Sequence, residues 1–564
     1  MSSIVLIFLS LVVASLLLSF LVCAWAVHEI IEYKRSTRLI NNFPGFRRLG
    51  PCGEIIHFLL PKILRQVVQY SYFWNRKHSV HRQFGWDVVS NISWLVPHPM
   101  FHIADASVVS QICMQRTAFP KPEAMYSSLE LYGPNVVARE GATWAQHRKI
   151  TSPAFSEPMI HLAWEQTSRV VHDMFDDWSN QGDVVELHEI EEPMKQLAML
   201  ILMGAAFGHI EDWTPEVLHP LGHSMSLRDS LQVLLKSFHI YSILPKWIWG
   251  SSQTRTAMRV GGIGGLGGLG ETVQETGTAY VELGRYLREM VHDREITGGD
   301  IEAKRVKRDV FSSLVAAMSI EDESARITLD DVFGNMFVFL LAGHETTAHS
   351  LTFALGLLAL EQEEQEKLHA HIKEVLGDRE PTFEDHGRLT RVLAVFYETL
   401  RLFPSGTFIP KEAAEDAHFM VNSALSEEEV ADPLLMGEKN CQKSLFIPKG
   451  STVWINIAGL HYNPRYWKDP YAFNPNRFLE SDWPKEAFMS FSAGPRGCLG
   501  RKFAEVEAVL ALTLVIRRYK VTVDTKRFRE LAGESILDRR NRLMNADMKI
   551  TLTPQGVPLV MTRR

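Results

Sequence analysis

Cysteine is scarce in this chain. Cys23, Cys52, Cys113, Cys441 and Cys498 are the five in 564 residues. An odd, widely spaced set like this is neither a disulfide framework nor a clustered zinc site. Cys498 stands apart by its surroundings, Phe491-Ser-Ala-Gly494-Pro-Arg496-Gly-Cys498-Leu-Gly500. Glycines on both sides allow a tight backbone path that brings N–H groups toward the sulfur. The following residues, Arg501 to Arg518, carry Phe503, Val506, Val509, Leu510 and Leu512 at helical spacing. Cys498 therefore precedes a helix N-terminus, whose partial positive charge favours thiolate. A thiolate so placed is a nucleophile or a metal ligand. Alone it cannot hold zinc or an iron–sulfur cluster, but it can be the axial ligand of a haem iron, with Arg496 placed to pair with a propionate.

Three further constellations carry unusual polar residues. Glu398 and Arg401 lie three apart on one helix face among Val392, Leu393, Val395, Phe396, Leu400 and Leu402, which reads as a buried ion pair. A buried guanidinium needs more than one partner, and Phe473-Asn-Pro475-Asn-Arg477-Phe478 lies downstream. A long segment from Thr328 to Glu361 opens on a capping box, Thr328-Leu-Asp-Asp331, and is apolar on all sides, so it is a buried helix. Its middle holds Ala342-Gly343-His344-Glu345-Thr346-Thr347, where unpaired polar groups are costly. Trp144 and Arg148, four apart, share one helix face.

With these motifs the sequence resembles the cytochrome P450 family. Its haem signature Phe-x-x-Gly-x-Arg-x-Cys-x-Gly is present in full from Phe491 to Gly500. The resemblance extends over roughly residues 44 to 564. It implies the P450 fold, mainly α with small β-sheets, and heme b (iron protoporphyrin IX) as cofactor. It makes Cys498 the iron ligand, with Trp144, Arg148, Arg496, Gly343 and Phe491 around the haem. Gly343 is expected to leave room for dioxygen, while Glu345 and Thr346 relay protons. The resemblance also joins Glu398, Arg401 and Arg477 into a structural triad. Where many relatives carry an arginine that reaches a propionate, this chain has Lys411, a charge without a bidentate fork.

The elements that must position these residues follow from the rest of the chain. Ile4 to Val27 is an uncharged run long enough to cross a hydrocarbon core of ~30 Å. Lys34, Arg35, Arg38, Arg47 and Arg48 follow it, so the globule stays cytosolic. The expected organisation is an N-terminal transmembrane anchor over residues 1–30, a basic, Pro/Gly-containing hinge over 31–51, and a catalytic domain over 52–564. That domain carries insertions near 260–270 and 420–444. The expected strands are Phe101–Ile103, Thr452–Asn456 and segments near Lys520–Val523 and Lys549–Thr553. Gly262-x-Gly264-x-x-Gly267 formally matches a dinucleotide fingerprint, but no buried strand precedes it and the glycine repeat runs on, so it reads as a flexible insertion. Pocket residues are expected from Ala118–Val137, Leu231–Trp249, Phe337–Thr346, Ser405–Phe408 and Thr551–Gln555.

Hydrophobic residues at 46% and charged residues at 22% exclude disordered, collagen-like and coiled-coil chains. A net charge of −7 offers no footprint for nucleic acid. The resemblance thus implies a monooxygenase of the endoplasmic reticulum membrane, single-pass and fungal in character. Its expected partners are NADPH-cytochrome P450 reductase, cytochrome b5, O2, the lipid membrane and a lipophilic small-molecule substrate: a terpenoid, sterol, fatty acid or xenobiotic, in secondary metabolism. Two alternatives remain at this point, a haem-thiolate isomerase or dehydratase that needs no reductase, and a non-catalytic haem binder. Glu345-Thr346 argues against both.

Overall fold

A computed structural model describes residues 2–48, 71–94, 97–214, 220–244, 247–250, 267–297, 309–322, 326–424 and 442–564. These fall into two compact units, Met1–Pro120 with Phe408–Lys468, and Lys121–Thr407 with Asp469–Arg564.

The first unit is built on a five-stranded sheet in the order Gly45–Arg48, Val88–Ser93, Met100–Ile103, Thr452–Asn456, Phe408–Glu412. The first pair and the Met100–Ile103/Thr452–Asn456 pair are parallel. Val88–Ser93 is buried along its whole length, as a central strand covered on both faces must be. Phe46, Phe73, Val80 and Val89 form its core, with Tyr72, Phe84 and Phe408 packed on them. The N-terminal helix Ser2–Leu39 includes a candidate membrane span, Val12–Leu39, of mean hydropathy 1.9. Its end is seated on the sheet unit: the Tyr33 ring meets Trp94 at 5.1 Å, and the Ser36 hydroxyl donates to the Pro97 carbonyl at 2.5 Å. The chain then turns at Asn41 and Asn42 (φ 50° and 51°), buries Ile40 and Phe43, and enters strand Gly45–Arg48. The segment 31–51, expected as a hinge, is thus helix and strand in its described part rather than a spacer. Residues 49–51 lie outside the described residues.

The second unit is mostly helical. The long helix Leu329–Leu360 packs against Glu191–Ala206, which packs against Glu157–Ser179, which in turn packs against Arg501–Arg518. The long helix is buried on all sides along most of its length, and its capping box is formed, with the Thr328 hydroxyl accepting from Asp331 N. A three-stranded sheet, Val184–Leu187, Leu559–Arg563 and Tyr519–Val523, and a hairpin, Ala546–Met548 with Leu552–Pro554, complete it. The strands expected at 101–103, 452–456 and 520–523 are found within a residue, whereas the segment 549–553 spans the hairpin turn and only Leu552 and Thr553 of it lie in a strand. Gly267–Gly270, expected as part of a flexible insertion, begins the helix Gly267–Thr297. Residues 260–266 and 425–441 of the expected insertions lie outside the described residues.

Candidate functional site

A cavity of ≈ 300 Å³ opens inside the second unit. It brings together Trp144, Arg148, Gly343, Thr346, Phe491, Arg496 and Cys498, seven residues singled out by the sequence. Lys121, Arg148 and Arg496 are the cations of its described lining, which holds no carboxylate. The rest is mainly apolar, including Val136, Leu202, Phe339, Phe396 and Phe503. Of the expected pocket segments, 118–137, 337–346 and 405–408 contribute, whereas the described residues of 231–249 and 551–555 do not. Leu202, Ala206 and Val310 line it without a sequence signal, because only helix packing brings them there.

The cysteine wall is a loop folded on itself. Cys498 N donates to the Phe491 carbonyl at 2.9 Å, and Gly494 takes a φ of 68° to make the turn. Cys498 is exposed, but to the cavity. Enclosure by protein pushes its thiol up, while the Gly500 N–H, Arg148 and Arg501 favour the thiolate. The helix N-terminus favours the thiolate, as expected from the sequence, and desolvation opposes it; ligation of a metal cation would favour deprotonation further.

The two arginines expected at propionates are already held by protein. Arg148 Nη1 donates to the Gly497 carbonyl at 2.9 Å, which ties the helix Gly141–Thr151 to the cysteine loop. Arg496 pairs with Glu140 at 2.6 Å, donates to the Val136 and Arg139 carbonyls, and lies 4.3 Å over the Trp144 ring. Glu140 escaped sequence reasoning, since nothing in its local pattern marks a partner more than 350 residues away. His147, on the same helix as Trp144, is buried and sits 3.2 Å from Asp331, fixing that helix to the start of the long helix. Lys411 is a buried residue of strand Phe408–Glu412.

On the long helix Thr346 faces the cavity while its hydroxyl donates to the Ala342 carbonyl at 2.8 Å. The Thr346 carbonyl accepts from Ser350 at 2.7 Å and from Ser405 at 3.4 Å. Gly343 has a definite steric reason: a Cβ there would lie 2.9 Å from Leu202 Cδ2. In this structure the glycine accommodates the neighbouring helix as well as bordering the cavity. Glu345 is buried, is not among the lining residues, and leaves Oε2 without a hydrogen-bond partner among the described residues. His344 bonds to its own helix, Nδ1 standing 2.6 Å from the Leu340 carbonyl.

Behind the cysteine wall the triad is formed. Arg401 and Glu398 are fully buried and make a fork, Nε to Oε2 at 2.7 Å and Nη2 to Oε1 at 2.9 Å. Arg401 also donates to the carbonyls of Pro470 and Ala472, and Arg477 Nε reaches Glu398 Oε1 at 3.2 Å. Two buried charges are thus compensated by a full set of partners.

The cavity suits an anionic group whose metal accepts a soft ligand. It offers one thiol, three cations and no carboxylate on apolar walls. The comparisons agree with that fit. The sequence matches the Cytochrome P450 family over residues 66–260, 269–421 and 440–540. Cytochrome P450 monooxygenase 124 of Postia placenta is 36% identical over 543 residues, covering 96% of this chain and 97% of that protein. Cytochrome P450 monooxygenase prx9 of Penicillium rubens is 26% identical over 490 residues (80% and 78%), and human cytochrome P450 4X1 is 26% identical over 465 residues (79% and 82%). The crystal structure of a cytochrome P450DA heme domain superposes with a TM-score of 0.65 at 19% identity, covering 92% of this chain and 97% of that one, a likeness of fold. The chain belongs to the cytochrome P450 family and is an oxidoreductase of the monooxygenase type.

Proposed function

We propose that this enzyme binds heme b through Cys498, takes electrons from NADPH through NADPH-cytochrome P450 reductase, and inserts one atom of O2 into a lipophilic substrate. The observation that carries this reading is the cavity itself: a lone thiol, three cations and the Thr346 hydroxyl converge on one largely apolar space. When bound, haem supplies the reductive activation of dioxygen that no side chain can perform.

The chain's own residues then have separable tasks. Cys498 provides the ligand sulfur once its proton leaves, helped by the Gly500 N–H and by Arg148. Arg148, Arg496 and Lys121 supply the cationic edge for two propionates, and the Trp144 indole adds a neutral N–H donor. Phe491 and the apolar walls exclude water from the haem. Thr346 presents its hydroxyl to the cavity; turning it from the Ala342 carbonyl lets it donate a hydrogen bond during oxygen reduction. Glu345 is buried behind it and off the cavity lining, so it can exchange a proton with that hydroxyl only through a side-chain turn or an intervening water. The Glu398–Arg401–Arg477 triad has a structural role, keeping the cysteine wall in place.

Exposed Lys149 and Lys502 support a basic docking surface for the acidic reductase, with cytochrome b5 as a second donor to the same face. The candidate span supports single-pass anchoring in the endoplasmic reticulum membrane with the globule cytosolic. The family match skips 261–268 and 422–439, which supports insertions there. A terpenoid, sterol, fatty acid or xenobiotic in secondary metabolism is the substrate class that a fungal relative and an apolar cavity favour.

Full-length protein with reductase, NADPH and a lipid extract under isotopically heavy O2 tests this, read by mass spectrometry. One heavy oxygen atom in a product, dependent on reductase, is expected. Conversion without reductase or oxygen would indicate an isomerase or dehydratase instead.

A further inference from the structure

An ionic cluster that oxygen chemistry leaves unused joins the loop 220–226 to the helix Gly267–Thr297. The His223 side chain is 3% exposed, with Nδ1 2.8 Å from Glu282 Oε2 and Nε2 2.9 Å from Glu289 Oε2. A neutral imidazole has one N–H, so with both glutamates ionised the two contacts are hydrogen bonds only when the ring is an imidazolium. The ring also stacks on Tyr286, 3.8 Å away and 15° from parallel. Glu282 is buried and further held by the Ser224 hydroxyl at 3.1 Å and Arg285 at 3.3 Å. Glu289 is half-exposed. The flanks of the loop are tied by uncharged acceptors: Arg285 Nη1 donates to the Gly222 carbonyl at 2.8 Å, and the Tyr286 hydroxyl to the Met225 carbonyl at 2.9 Å.

We propose that His223 is a pH-sensitive latch: as the imidazolium it clamps the middle of loop 220–226 between Glu282 and Glu289, and on losing its proton it lets that loop loosen from the helix Gly267–Thr297. With one proton gone, Nδ1–H keeps Glu282, while a lone pair on Nε2 faces a carboxylate. Glu289, half in water, can turn away. The charged and titratable groups around the ring are Glu282, Arg285, Tyr286 and Glu289 on the helix, and Glu211, paired with His209 and near Arg228, beside Tyr286. Among the described residues, only Glu282 and Glu289 stand within hydrogen-bond distance of the imidazole nitrogens.

The loop leads straight into the helix Leu227–Lys236, capped by Ser226 and packed on Gly267–Thr297. The next helix, Phe238–Ile243, carries buried Tyr241, whose phenol burial pushes up and the Glu345 charge pushes up further. The latched loop is therefore one step along the chain from a helix that reaches the polar stretch of the long helix. Loosening the loop frees these two helices to shift over that stretch.

Hydrogen exchange of the haem-loaded full-length chain in detergent tests the latch, from about pH 5.5 to about pH 8.5 across the histidine range. After correction for intrinsic exchange, protection of 220–226 should fall about tenfold as pH rises, the loss of one charge-assisted hydrogen bond. His223→Gln should lack that step and stay at the low level throughout. Glu289→Gln, a change at the exposed rim that the fold tolerates, should flatten the step while its ordinary haem spectrum shows an intact globule. A wild-type protection that does not change with pH, or the same step surviving in both variants, would overturn the proposal.

Discussion

Around Cys498 the polar groups are tied to one another: Arg148 to the Gly497 carbonyl, Arg496 to Glu140, Arg401 to Glu398 and two carbonyls. Along the long helix the opposite holds. Thr346 bonds back to its own turn, and a buried Glu345 oxygen has no partner among the described residues. A fully compensated network holds one geometry, as an axial ligand requires. A side chain with spare hydrogen-bonding capacity can change partners, as proton transfer requires. The cysteine wall is thus built to stay and the long helix to rearrange, and substitutions on the two sides should fail in different ways.

The largest effect is expected from the triad. Arg401→Ala removes the main partner of a fully buried carboxylate and leaves it Arg477 and one backbone N–H, a loss of up to about 3–5 kcal/mol. Purified protein should be poor in haem and should melt far below wild type. A normal haem content with normal melting would show that the network is dispensable.

Thr346→Ala should leave fold and haem intact and damage coupling. The hydrogen peroxide released per product formed should rise sharply, acid–base contributions of this kind being worth about 10²–10⁴-fold, while NADPH oxidation falls much less. An unchanged ratio, with reductase in excess, would reduce Thr346 to a helix residue. Glu345→Gln sharpens the contrast on the same helix. Because Glu345 does not line the cavity, it should slow NADPH oxidation with a smaller change in that ratio than Thr346→Ala gives. Equal effects of the two variants would mean that they act as one unit.

The smallest effect lies at the seam between the walls. Glu507, on the helix after Cys498, is buried with neither oxygen in a well-formed hydrogen bond among the described residues; burial holds its carboxyl well above the usual range, offset in part by Thr347 of the long helix. A raised carboxyl favours the folded state at low pH. As pH climbs above the unfolded value, near 4.3, the unfolded chain gives up the proton and stability falls. Glu507→Gln removes that loss, so its melting temperature should exceed wild type by a few degrees at pH 8 and match it near pH 4. A variant that melts lower at pH 8 would show that Glu507 is needed ionised.

What the sequence made legible follows the same division. The Cys498 window and the capping box at Thr328 are chain-local, so spacing alone specifies them. Arg477 was reachable through a second motif. Glu140 and Leu202 were not, because each is placed by tertiary contact alone. The orientation of Glu345 was hidden too: a motif names the residue but not which face of an all-apolar helix meets the cavity. The segment 31–51 misled because Pro44-Gly45 reads as a spacer, whereas burial of Ile40, Phe43 and Phe46 fixes it to the sheet.

The central claim is that Cys498 is the haem ligand on a wall that stays in place. The most direct measurement is the absorption spectrum of the reduced protein under carbon monoxide, for wild type and Cys498→Ser. Wild type should show the red-shifted Soret band of thiolate ligation, and the variant should lose it whether or not it retains haem, since a serine oxygen is a poor soft donor. A variant that keeps the red-shifted band would contradict the assignment.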